Sequence, residues 1–127
     1  FAEEPNSVLL GTSSFWEGVD MPPGLLKALV LTRLPFQVPT DPIVRARSDQ
    51  YEEPFSQFSV PQAVLRFRQG FGRLIRNKED KGTIVIMDNR VTAKGYGKSF
   101  LRSIPPCTNF PSSLATVGKL AAQWIAQ

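Results

Sequence analysis

Histidine is absent from the 127 residues, and cysteine occurs once, as Cys107. The first absence excludes histidine acid–base chemistry and histidine metal ligation within this chain. The second excludes an internal disulfide and any cysteine-rich metal or iron–sulfur site built from this segment alone. Cys107 is read as structural and fits a reducing compartment. No apolar run approaches ~18 residues, so no membrane-spanning helix is expected. Internal repeats and low-complexity tracts are also missing. The chain opens on Phe1 with no signal peptide ahead of it, and it reads as an excised piece of a longer protein. What is present is an ordinary soluble composition, 42% apolar, with a net charge of +4 that fits an anionic partner. The length suits one domain or part of one.

The informative stretch is QGFGRLIR, Gln69 to Arg76, at the end of a helix expected to begin near Pro61. On a helical wheel Val64, Phe67, Phe71, Leu74 and Ile75 share one face. Gln62, Arg66, Gln69, Arg73 and Arg76 share the other. The cations of that face are all arginine, whose rigid fork of donors suits phosphate oxygens. Gly70 and Gly72 each cost about 1 kcal/mol relative to alanine inside a helix. Two such residues suggest close approach by another backbone or a ligand. The plainer alternative is a solvated basic face.

A second stretch, GTSSFWEGVDMPPG from Gly11 to Gly24, reads as a loop. Thr12, Ser13 and Ser14 offer donors to a phosphate, and Gly18 lets a ligand approach the main chain. Asp20 is an acceptor for a ribose hydroxyl or a partner that orders a nearby arginine. Here too a plain alternative stands: an ordinary connector anchored by a buried Trp16.

Strands are expected at Ser7 to Gly11, Ala28 to Leu34 and Gly82 to Asp88, the last (GTIVIMD) being the clearest. Helices are expected from Ile43, from Pro61, over Lys98 to Ile104, and over Ser112 to Ala126. Pro35 to Pro42 holds three prolines and excludes a regular helix or a central strand. Buried strands alternating with helices indicate an α/β layer fold with a parallel sheet. Ligands in such sheets sit beyond the carboxyl ends of the strands, where the Gly11–Gly24 loop is expected to lie. Gly97, Lys98 and Ser99 imitate the end of a phosphate-binding loop. The motif needs glycine where Thr92 stands and a strand running straight into it, so a nucleotide cradle is rejected here.

Together GTSSFWEGVDMPPG, RLPFQVPTDP and QAVLRFRQGFGRLIRN resemble motifs of the DinG/XPD-type helicases of superfamily 2. GTIVIMDNRV and KGYGKSFLRSIP resemble the DinG branch. The resemblance runs from about Ser7 to Pro106. It implies a RecA-like three-layer fold with a mainly parallel sheet, of which residues 1–106 are the C-terminal portion of the second motor domain. Residues 107–127 are then a helical extension. It further implies that Gln69 and Arg73 line the nucleotide cleft and that Arg76 is the arginine finger, with Arg73 beside it in the catalytic set. Gly18 and Asp20 would approach the nucleotide, and Thr12, Ser13 and Trp16 the single-stranded DNA. ATP and Mg2+ would be held mainly by the first motor domain, which would also carry any iron–sulfur cluster. The implied setting is cytoplasmic. A second reading stays open: a non-catalytic single-stranded nucleic-acid-binding module, a degenerate motor domain without a cradle.

Overall fold

The computed structural model describes residues 3–4, 6–12 and 20–127. Two four-residue strands, β1 (Ala28–Leu31) and β2 (Thr83–Ile86), pair in parallel with Ala28 opposite Thr83 and Leu31 opposite Ile86. Parallel neighbours require a long crossover. Here it contains helix α1 (Pro42–Ser48), a π-helical turn (Phe55–Ser59) and helix α2 (Val60–Leu74). Short helices α3 (Arg90–Ala93) and α4 (Gly97–Arg102) follow β2, and α5 (Leu114–Ala126) packs on β2. No described helix is long and apolar enough to cross a membrane.

Local chemistry sets these boundaries. Asp41 caps α1 by accepting the N–H groups of Ile43 (2.9 Å) and Val44 (3.2 Å), with Pro42 at the first helical position. Thus the proline-rich stretch ends as a helix start. Helix α2 begins at Val60, near Pro61 as expected, and Pro61 lies in its first turn. It has no N–H for the Gln57 carbonyl, and the turn ahead widens so that Val60 N–H reaches Phe55 O. The Ser7–Gly11 strand is not found: the described residues 6–12 form no strand, and Val8 and Leu10 are exposed. The Gly11–Gly24 segment therefore leads into β1 rather than leaving a strand.

The core is the contact of α2 with one face of the sheet. Ala63, Phe67 and Phe71 pack with Leu31, Leu34, Phe100 and Ile104, backed by Leu29, Ile84 and Ile86. Alternation puts Leu29, Leu31, Ile84 and Ile86 on that one face. Phe67 and Phe100, both fully buried, meet edge to face at 5.6 Å. Phe36 joins Phe100 at 5.9 Å and Tyr96 at 5.7 Å, which brings the loop after β1 to α4.

Asp88 fastens the two strand exits together. Its carboxylate is buried, accepts Leu34 N–H at 2.9 Å, and meets Arg90 Nη2 at 2.6 Å and Nε at 3.0 Å. Arg90 also lies over the Phe36 ring, 5.3 Å from its centroid. The hydrogen bonds from Arg90, reinforced by the Leu34 N–H, hold the Asp88 carboxyl well below the usual carboxylate range.

Gly97 shows why the phosphate-loop imitation is structural. It is buried against α3, and a Cβ there would overlap the Val91 carbonyl. Gly97→Ala should destabilise the fold by roughly 1–3 kcal/mol, an overpacking penalty measurable by chemical denaturation. Asp88→Asn should lose about 1–3 kcal/mol near neutral pH, since it removes a charge-assisted network. A carboxyl depressed on folding contributes its stability above its unfolded value, near 4, and loses it as pH falls towards the folded value. The gap between wild type and Asp88→Asn should therefore narrow below about pH 4 in acid titration of the unfolding midpoint.

Candidate nucleotide-facing site

Helix α2 carries Gln69, exposed, and Arg73, half-buried, one turn apart on one face. Arg76 departs from the helical-wheel expectation. Helix α2 stops at Leu74, and Ile75 takes an extended backbone with φ −120° and ψ 106°. Arg76 therefore belongs to the turn after the helix, not to its face. That turn is held by Asp80, whose Oδ2 accepts the N–H groups of Arg76 at 2.8 Å and Asn77 at 3.0 Å.

Asp20, 56 residues earlier, reaches this turn: Arg76 Nη2 donates to Asp20 Oδ1 at 3.4 Å. The structure thus joins the two stretches singled out in the sequence. Both residues precede strands, Asp20 ahead of β1 and Arg76 ahead of β2, so the junction belongs to the segments entering the sheet. The carboxyl ends, where the sequence placed the ligand edge, hold the Asp88–Arg90 network instead.

The two arginine–aspartate pairs differ in kind. Arg90–Asp88 is short and multiply bonded, with the Asp88 side chain 7% exposed. Arg76–Asp20 is a single long contact, with the Asp20 side chain 98% exposed. Charge-assisted N–H···O bonds favour 2.7–2.9 Å, so Arg76 is held loosely. Exposed pairs contribute little to stability. The first pair is a fixed part of the fold, and the second is a loose contact at the solvent surface.

Thr12 is exposed, whereas Ser13, Trp16 and Gly18 lie outside the described residues. Gly70 is buried, but a Cβ on Gly72 would meet, beyond the neighbouring backbone of its own helix, no described atom within 4 Å. The expected close approach is thus not needed at Gly72, which borders an open groove of about 400 Å3 with Arg68, Phe71, Ile75 and Ile104. Cys107, read as structural, is exposed. Among the described residues no three of His, Cys, Asp and Glu gather as a metal site. Sequence reasoning missed Asp80 and the Asp88–Arg90 network. The signal available for Asp80 was an Asn and an Asp three residues apart in a polar turn, a spacing at which each side chain can accept the other segment's N–H groups.

Residues 1–107 match the family described as helicase C-terminal domain. Among individual proteins, the chain is 43% identical over 109 residues to the ATP-dependent DNA helicase YoaA of Haemophilus influenzae, covering 83% of this chain and 17% of that protein. It is 45% identical over 109 residues to the 3'-5' exonuclease DinG of Bacillus subtilis, covering 83% and 12%. It is 46% identical over 104 residues to the ATP-dependent DNA helicase DinG of Photobacterium profundum, covering 79% and 15%. The chain spans no more than about a sixth of the length of these curated relatives.

If Asp20 restrains Arg76 only through one exposed contact, Asp20→Ala should leave the melting temperature within about 2 °C of wild type. Arg90→Ala, which leaves the buried Asp88 carboxylate without its guanidinium, should lower it clearly in the same thermal scan.

Proposed function

The chain belongs to the helicase C-terminal domain family, whose fold is RecA-like, and from that premise we propose that it forms the closing part of the second motor domain of a DinG-type ATP-dependent DNA helicase. Residues 1–106 are the motor portion and 107–127 a helical extension. The observation that supports this most is the contact of Arg76, the last residue of QGFGRLIR, with Asp20, the last residue of GTSSFWEGVD.

In this reading Arg76 is the arginine finger. When the two motor domains close on ATP, its guanidinium leaves Asp20 for the phosphoryl oxygens, where a planar fork of donors offsets charge that develops during transfer. Magnitudes favour the exchange: a loose exposed pair contributes little, whereas a finger supplies roughly 10³–10⁵ in rate. Gln69 and Arg73 line the same cleft from α2, and Gly18 and the released Asp20 face the nucleotide ribose. Thr12, Ser13 and Trp16 carry the contacts to single-stranded DNA. The first motor domain of the longer protein supplies the phosphate cradle and the Mg2+ ligands. The residues here do not fit either role: Gly97 is committed to packing against Val91, and the described carboxylates do not gather. One exposed cysteine does not fit an iron–sulfur cluster, which would belong to that first domain as well. A cytoplasmic setting goes with this reading.

DNA-stimulated ATPase of the full-length protein tests it. Arg76→Ala should lower turnover by about 10³-fold or more while ATP affinity stays near wild type. Arg76→Lys should not recover it, because a point charge lacks the fork. Unchanged turnover in Arg76→Ala would remove the finger assignment. A wild type that binds single strands but does not hydrolyse ATP would favour the non-catalytic module.

A further inference from the structure

We infer that Asp80 is a positioning residue for the Arg76 guanidinium, an inference that rests on the arginine-finger reading above. Helix α2 ends one residue before the chain needs to turn, and the helix itself therefore does not fix Arg76. The fixing is done by side chains. One oxygen of Asp80 takes two consecutive N–H groups, those of Arg76 and Asn77. In return Asn77 Oδ1 accepts the N–H groups of Glu79 at 3.0 Å and Asp80 at 3.1 Å. The turn closes on itself through these four bonds. It is also pinned at both ends to one buried side chain. Leu74 is 2% exposed, and a Cβ on Gly82 would come within 2.5 Å of its Cδ1. The Arg76 main chain is thereby set, and only the torsions of its side chain remain for the guanidinium to search. Asp80 touches neither the guanidinium nor, in this reading, the nucleotide.

Asp80→Ala in the full-length protein should lower kcat for DNA-stimulated ATP hydrolysis by roughly 10- to 100-fold, the effect of misplacing a reacting group by about 1 Å. KM for ATP should stay within about twofold, since ground-state binding is untouched. Asp80→Asn, whose Oδ1 can accept the same two N–H groups, should restore kcat to within about threefold of wild type. Asp80→Glu keeps the charge but displaces the acceptor by a methylene. It guards against unfolding of the alanine variant and should show the same kcat loss. Wild-type kcat in Asp80→Glu, or a loss in Asp80→Asn as large as in Asp80→Ala, would overturn the inference. Arg76→Ala measured alongside separates the two readings. If its turnover is normal, the finger reading fails and the positioning role with it. If its turnover collapses while Asp80→Ala and Asp80→Glu run normally, the positioning role alone fails.

Discussion

A buried carboxylate at the end of β2 sets the shape of the carboxyl edge of the sheet. Asp88 can stay ionised there only if its oxygens are satisfied, because an unpaired charge out of water costs several kcal/mol. The partners come from two directions: the main chain of Leu34, just past β1, and the side chain of Arg90, just past β2. Meeting that requirement brings the two strand exits together. It also lays Arg90 across Phe36, whose ring in turn meets Tyr96 and Phe100. The aromatic core beneath α4 and the short parallel pair are thus coupled through one charge. Removing the carboxylate side chain leaves a buried N–H and a guanidinium without their acceptor, so the network is held as a unit.

Periodicity revealed the parts of the fold that depend on it. The apolar run GTIVIMD is β2, and the stripe with Phe67, Phe71 and Leu74 is the buried side of α2. Periodicity failed where a single side chain overrules it. The helical wheel carries the pattern of α2 through Arg76, but Asp80 captures the Arg76 and Asn77 N–H groups and the helix stops at Leu74. Ser7 to Gly11 reads as a strand by composition, yet a strand also needs a neighbour, and a one-dimensional pattern does not supply one. The Asp88–Arg90 pair, two residues apart, acquires meaning only when Leu34 arrives from 54 positions away. Of the site, the sequence held the residue types and their two stretches. Their meeting through Asp20 and Arg76 is a tertiary fact.

Strands of parallel sheets are ordinarily buried on both faces, and two strands alone make a marginal sheet. Here the face opposite α2 is only partly covered. Val30 is 54% exposed although its register partner Val85 is half-buried, and Met87 is 48% exposed. Helix α5 packs on β2, and its Trp124 and Ile125 border a hollow with Lys27, Lys81 and Gly82 without being buried. Apolar surface left open in this pattern is what a portion of a larger α/β layer presents. It agrees with the proposal that further strands and helices of a longer chain complete the domain.

The two arginine–aspartate pairs show how one chemistry serves opposite ends. A residue that must organise the fold benefits from a short, dry, multiply bonded pair, because each added bond raises the energy of every alternative. A residue that must change partners during a cycle cannot be held that way, since the energy that holds it would be subtracted from what it gives the transition state. Arg76 has its restraint divided in a way that suits the second requirement, which the proposed finger role would impose. Its main chain is fixed by a carboxylate that does not touch the guanidinium, and its guanidinium is held by a different carboxylate that is almost fully in water. In the proposed role, rigid placement of the backbone would limit the search for a phosphoryl oxygen, while the weak restraint at the tip would add little to the barrier for leaving Asp20. Under the proposed finger role, a strong Arg76–Asp20 pair would oppose transfer of the guanidinium to a phosphoryl oxygen. The 3.4 Å contact, with Asp20 almost fully in water, is the weak kind of restraint which that role requires.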